Sequence, residues 1–165
     1  YKWLQKLKFA AYSDSKIATV TPVSNNAGAF SVPVINKDNI IDEELGIQGT
    51  ANIVEKISDN VLVDVPTGNG FCMYIKQEAL RDVGPLDLLY GKGYGEENDF
   101  CMRLVNAGWK NVVDTSTYIY HNRNVSFGDE KQKLIDKHKN YIKKRCKQFI
   151  VSKNMIKWKK EGHKR

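Results

Sequence analysis

Two periodicities alternate along this chain, and that alternation limits its fold more than any other feature. Residues 2–13 place Trp3, Leu4, Leu7, Ala10 and Ala11 three and four apart, the spacing of one face of a short amphipathic helix, and residues 17–21 then read as a strand ending at Pro22. The exchange recurs. A helix is expected over about 48–58, a strand over 61–65 stopped by Pro66, a second strand over 71–75, and a short helix over 78–83 closed by Gly84-Pro85. Another helix should start at Glu96 and end near Gly108, followed by a strand over 111–120 with His121 at its C-terminal end. Helices alternating with strands imply an α/β fold with a mixed, mostly parallel sheet, and no internal repeat is found. Ser24, Asn25, Asn26 and Gly28 form a turn-rich loop, and residues 31–45 read as a long surface excursion.

With 165 residues, 41% of them hydrophobic, the chain can bury one compact core. No stretch approaches the roughly eighteen consecutive apolar residues of a membrane span. The N-terminal YKWLQKLKF lacks the apolar centre of a secretory signal, and Tyr1 is not expected to be the natural start, so a missing targeting segment says little. Cys72, Cys101 and Cys146 are widely spaced and form no C-x-x-C pair, which argues against a disulfide framework or zinc knuckle and for a reducing compartment. The formal charge of +7 is unevenly placed: residues 130–165 hold 14 Lys and Arg against 3 Asp and Glu, whereas residues 1–129 are net acidic. In the basic segment Leu134, His138, Tyr141, Ile142, Cys146, Phe149 and Ile150 keep helical spacing, so the C-terminus reads as a basic amphipathic helix. The organisation expected is a domain over 1–128 and a helical extension over 129–165.

The segment GYGEENDFCMR, residues 93–103, crowds three carboxylates into the first turn of a helix behind glycines. Acidic residues at a helix start offset the helix dipole, and Asp99 with Arg103 is an ordinary i, i+4 pair. The helical wheel separates the three. Phe100, Cys101, Leu104 and Val105 share one face with Glu97 near its centre, and Asp99 falls opposite. A carboxylate at the open end of an apolar stripe can have its pKa raised toward that of a useful base, which makes Glu97 the catalytic candidate. His121, at a strand's carboxyl end, stands where α/β sheets gather ligands and where an imidazole could complete the coordination of a divalent metal. The loop Pro66-Thr67-Gly68-Asn69-Gly70-Phe71 could bring backbone amides near a substrate, since Gly68 and Gly70 remove side-chain bulk. Neither a Walker phosphate loop nor a dinucleotide fingerprint is present. Asn124-Val125-Ser126 matches a weak glycosylation signal.

GYGEENDFCMR resembles the Glu-Asp motif of family-two glycosyltransferases, in which Gly-Glu-Asp-x-Asp precedes a hydrophobic residue and an arginine. TVTPVSNNA at 19–27, PTGNGFCMYIKQEAL at 66–80 and YHNRNVSF at 120–127 join it in order, so the resemblance covers most of residues 1–127. It implies part of a GT-A fold, the acceptor side, with the nucleotide-binding half and its Asp-x-Asp motif upstream of Tyr1 and outside this chain; WLQKLKFAAYSD resembles the helix that follows that motif. It further implies transfer of a sugar, with inversion, from a nucleotide-sugar donor to a glycan, lipid-linked or other hydroxyl acceptor, aided by a divalent cation, manganese or magnesium. The fragment alone should be inactive. By the same resemblance Glu97 falls where the family usually has its catalytic aspartate. Glu96 matches a glutamate that hydrogen-bonds the acceptor, Asp99 and Arg103 orient the helix start, and His121 supplies a metal ligand. Thr67, Gly68, Asn69, Gly70 and Tyr94 would border the acceptor pocket. A bacterial surface polysaccharide is the natural product to expect, made in the cytoplasm or at the inner membrane face.

Two other functions compete with this one. A glycoside hydrolase needs opposed carboxylates about 5–10 Å apart, which neighbours on one helical turn cannot supply without a partner such as Asp87 or Asp114. A non-catalytic carbohydrate-binding or membrane-surface module would use the basic segment 130–165 on anionic lipid; nucleic acid is not the expected partner.

Overall fold

The computed structural model describes residues 2–91, 93–122 and 128–145. Cys146, Phe149, Ile150 and the Asn124-Val125-Ser126 tripeptide lie outside them. Helix α1, Trp3–Tyr12, leads into strand β1, Ile17–Val23, and after a loop containing a 3-10 turn at Gly28–Phe30 comes α2, Gly46–Ile57. Then follow β2, Leu62–Val65; β3, Tyr74–Ile75; α3, Gln77–Val83; α4, Glu96–Asn106; β4, Lys110–Tyr118; and α5, Gly128–Arg145. The fold is α/β.

The four strands form one sheet in the order β2-β4-β1-β3. Strands β1 and β4 run parallel, from Ile17 opposite Lys110 to Val23 opposite Tyr118, whereas β3 is antiparallel to β1 and β2 antiparallel to β4. The sheet is therefore mixed, but it is not mostly parallel as its sequence implies. Alternating side chains report a strand's faces, not its direction. Direction is set by the entry: the chain reverses at Asn60, whose φ of 52° is left-handed, and the Thr115 amide and hydroxyl donate to the Val61 carbonyl, which starts β2 running back along β4.

All seven residues of β1 are buried, because both faces of the sheet are covered. On one face Leu7, Ala10 and Ala11 of α1 pack against Ile17, Val20 and Val112; on the other, Ala79 of α3 and Phe100 and Leu104 of α4 pack against Ala18. Helix α2 covers the far end of the parallel pair, where Ala51 and Val54 meet Val23, Val113 and Tyr118. Pro22 does not end β1 as its lack of an N–H suggests. It sits instead beside a register shift between Pro22 and Val23, an irregularity that tolerates the missing donor. The strand expected over 71–75 keeps only Tyr74 and Ile75, since the Phe71 amide is taken by the Asn69 side chain.

Candidate functional site

Three segments converge at the carboxyl end of the parallel pair. The first is the start of α4. Gly93, Tyr94 and Gly95 all have positive φ, 112°, 68° and 127°, and for tyrosine that conformation is strained. Their path swings Glu96 and Glu97 into the first turn of α4, where the N-terminal amides favour negative charge. Glu97 is half-buried, and its Oε2 accepts from the Gly95 amide at 3.4 Å. Burial raises its pKa above the usual carboxylate value, and the negative charge of Glu96 raises it further. One carboxylate oxygen of Glu96 is buried with no hydrogen-bond partner among the described residues.

The second segment is the loop at 66–71. Glu97 lies against it: a Cβ built on Gly70 would stand 3.9 Å from the Glu97 Cβ. Gly68 is a requirement of packing, since a Cβ there would come within 2.6 Å of the Thr21 hydroxyl and 2.9 Å of the Met73 sulfur. The amides of this loop turn inward. Gly68 N–H donates to the Cys101 sulfur at 3.3 Å and Asn69 N–H to the Thr21 hydroxyl at 3.2 Å, so these two amides are not offered to a substrate as the glycines suggest. Cys101 itself is a buried thiol with its pKa pushed up to about 12, mainly by burial, which suits packing and not nucleophilic chemistry.

The third segment is the chain just beyond β4. His121 Nδ1 lies 2.7 Å from the Asn26 carbonyl; a carbonyl can only accept, so Nδ1 carries a proton, and in the neutral ring Nε2 is the atom with the free lone pair. The ring stacks on Phe71 with centroids 5.2 Å apart. Its backbone is held from both sides, His121 N–H donating to the Asn25 side-chain oxygen at 2.8 Å and Asn25 Nδ2 to the His121 carbonyl at 3.3 Å. Glu97 and His121 are thus joined across a single short loop, Glu97 on Gly70 and His121 on Phe71. A histidine donating Nδ1–H to a backbone carbonyl has the orientation and tautomer that metal-ligating histidines adopt. Among the described residues no group of three or more His, Cys, Asp or Glu could hold a metal by itself.

Asp99 departs from its wheel position. It is 1% exposed, not facing solvent opposite the apolar stripe, because α3 and α5 cover that side of α4 as well. Its carboxylate pairs with Arg103 at 3.0 Å and lies 3.7 Å from Arg145. Arg103 in turn donates to the carbonyls of Val83, Gly84 and Pro85, joining the end of α3 to the first turn of α4. The partners a hydrolase would need are spent elsewhere. Asp87 pairs with Arg145 at 2.6 Å, and buried Asp114 accepts from Ser116 and Thr117.

Sequence reasoning passed over Asn111, whose buried amide accepts from Thr19 and donates to the carbonyls of Pro66 and Cys101, fixing the 66–71 loop to α4. Asn25 reads in the sequence as part of a generic turn, although two adjacent asparagines at the carboxyl end of a buried strand are a signal that polar side chains are held there. No protein-family model, curated protein or solved structure matches the chain.

Proposed function

We propose that this chain is the acceptor-side part of a glycosyltransferase of the GT-A kind, transferring a sugar from a nucleotide-sugar donor to a hydroxyl of a glycan or lipid-linked acceptor. The observation that carries the reading is the pairing of Glu97 with His121 across the 66–71 loop, at the carboxyl end of parallel strands where α/β folds collect ligands. Glu97 takes the proton from the acceptor hydroxyl as that oxygen attacks the anomeric carbon from the face opposite the leaving nucleoside diphosphate, which inverts the centre. Its pKa is raised by burial and by the charge of Glu96, which makes the carboxylate a stronger base than a solvated one. Glu96, one residue earlier and with a buried carboxylate oxygen that has no hydrogen-bond partner among the described residues, accepts from a second hydroxyl and sets the angle of the acceptor. Tyr94 and Thr67 to Gly70 form the border of the acceptor site.

A divalent cation, manganese or magnesium, would offset the charge of the departing diphosphate. His121 would supply one ligand to it through Nε2, the remaining ligands coming from an Asp-x-Asp motif outside this chain. The test is made in the complete enzyme. Replacing Glu97 by glutamine removes the base without changing the side chain's size, and should cut transfer by about 10²–10⁴-fold while donor binding is retained. Near-normal turnover in that variant would remove Glu97 as the base.

A further inference from the structure

Beside His121 the fold encloses a second feature, a small polar cavity of about 240 Å³. It is lined by residues 26–28, Asn69 and His121, with a rim of Asn36, Lys37 and Asp38 from the excursion between β1 and α2. The rim is set in advance. Asn39 Nδ2 donates to the carbonyls of Asn25, Val34 and Lys37, its Oδ1 accepts from the Val34 amide, and the Asn36 amide donates to the Gly28 carbonyl at 2.8 Å. Asn25 is shared: it carries the Asn39 contact on one side and holds His121 on the other. The backbone of the rim and the histidine are therefore parts of one hydrogen-bonded unit, so the path of the loop is set before a ligand arrives, while the exposed side chains of Asn36, Lys37 and Asp38 orient on it.

The lining selects a chemistry. Asn36, Asp38 and Lys37 offer an amide, a carboxylate and an ammonium, and Asn69, which already donates to the Ala27 carbonyl at 3.2 Å and accepts from the Phe71 amide, adds its second N–H and second lone pair. Donors and acceptors together are what a ring of hydroxyls requires, since each hydroxyl both donates and accepts. Asp38 opposes an anionic ligand and Lys37 a cationic one. The volume lies below the ~300–1,000 Å³ of drug-sized ligand pockets and suits one ring, not a chain of them. Asn69 forms a wall, and the next residue, Gly70, carries Glu97 against it.

We propose that this cavity is a subsite for one neutral sugar ring of the acceptor, recognised by Asn36, Lys37, Asp38 and Asn69. The assignment to the acceptor rests on the glycosyltransferase reading; the sugar site itself does not. Methyl glycosides of neutral hexoses and N-acetylhexosamines, titrated into the 165-residue chain and followed by amide chemical shifts, test the site directly. At least one should shift Gly28, Lys37, Asn69 and His121 saturably, and Asn36→Ala and Asp38→Ala should each weaken it at least tenfold. No shift from any of these sugars, or shifts indifferent to both substitutions, would overturn the site. In the complete enzyme Asp38→Ala should raise the acceptor KM and leave kcat unchanged. An unchanged KM overturns the subsite and leaves the chemistry at Glu97 standing, whereas sugar binding in a complete protein that transfers nothing from any donor overturns the glycosyltransferase reading and supports the site.

Discussion

Glu97 carries opposite signs for folding and for chemistry. Burial and the neighbouring Glu96 raise its pKa in the folded chain, so the folded state binds a proton there more tightly than the unfolded state does. A raised carboxylate pKa contributes stability that is fully present below the unfolded value and is lost as the pH climbs through the folded one. Ionised Glu97 therefore weakens the fold, and the same ionised form is what the proposed base requires. Glutamine cannot ionise. The variant Glu97→Gln should melt higher than the parent at pH 7, by about 1.4 kcal/mol for each unit of pKa elevation, and the gain should vanish at pH values below the ordinary carboxylate range. Thermal melts of this chain across that pH range would settle it. An equal Tm for the two proteins at pH 7 would mean that the carboxylate is well solvated, and would weaken its claim to be a tuned base.

At the scale of elements, the geometry of α4 depends on one clamp. Arg103 reaches from the second turn of the helix to Asp99 in the first and to three carbonyls at the end of α3, so the acidic turn is braced against a neighbouring helix and not only by its own hydrogen bonds. Removing Arg103 leaves buried Asp99 charged with only the longer contact to Arg145, at 3.7 Å, and frees the three carbonyls it bonds. Arg103→Ala should cost about 3 kcal/mol in denaturant unfolding with the slope unchanged. Arg103→Lys should recover only part of it, because a lysine cannot fork to several acceptors. A loss under about 0.5 kcal/mol would put Arg103 among ordinary surface residues. The Asp99–Arg103 pair and the helix start were legible as a spacing. What the spacing could not convey is that the far side of α4 is covered too, because a helical wheel records one helix's own faces and not the helices packed around it. Strand directions were hidden for the same reason, and β2 and β3 owe theirs to turns whose outcome depends on partners far along the chain. The candidates Glu97 and His121 were legible because each sits at the end of an element, whereas the Asn25–Asn39 unit joins two stretches of loop that have no period to read.

At the scale of the whole molecule, helix α5 keeps the lysines of its exposed face away from the residues that dock it. Helix α5 turns His138, buried and donating Nδ1–H to the Tyr94 carbonyl, and Ile142 onto the strained loop ahead of α4, while Arg145 pairs with Asp87. Lys133, Lys137, Lys139, Lys143 and Lys144 are exposed on its other face. The inward contacts tie a basic helix to the carboxylate turn, so a surface that bound the lysines would also lie near the proposed acceptor site. Among the described residues no helix is long and apolar enough to cross a membrane. Attachment by charge is the mode such a face allows, and it fits a lipid-linked acceptor presented at a membrane surface. Each lysine near an anionic bilayer contributes about 1 kcal/mol, an attraction that salt screens within a Debye length. Changing all five lysines to glutamine leaves His138, Ile142 and Arg145 in place, so the helix should stay docked. The variant should lose binding to phosphatidylserine-containing vesicles by a factor on the order of 100 or more, with its melting temperature little changed. Parent binding should fall steeply as salt is added. If the variant sediments with vesicles as well as the parent does, the basic face is a solvated surface and the acceptor reaches Glu97 from solution.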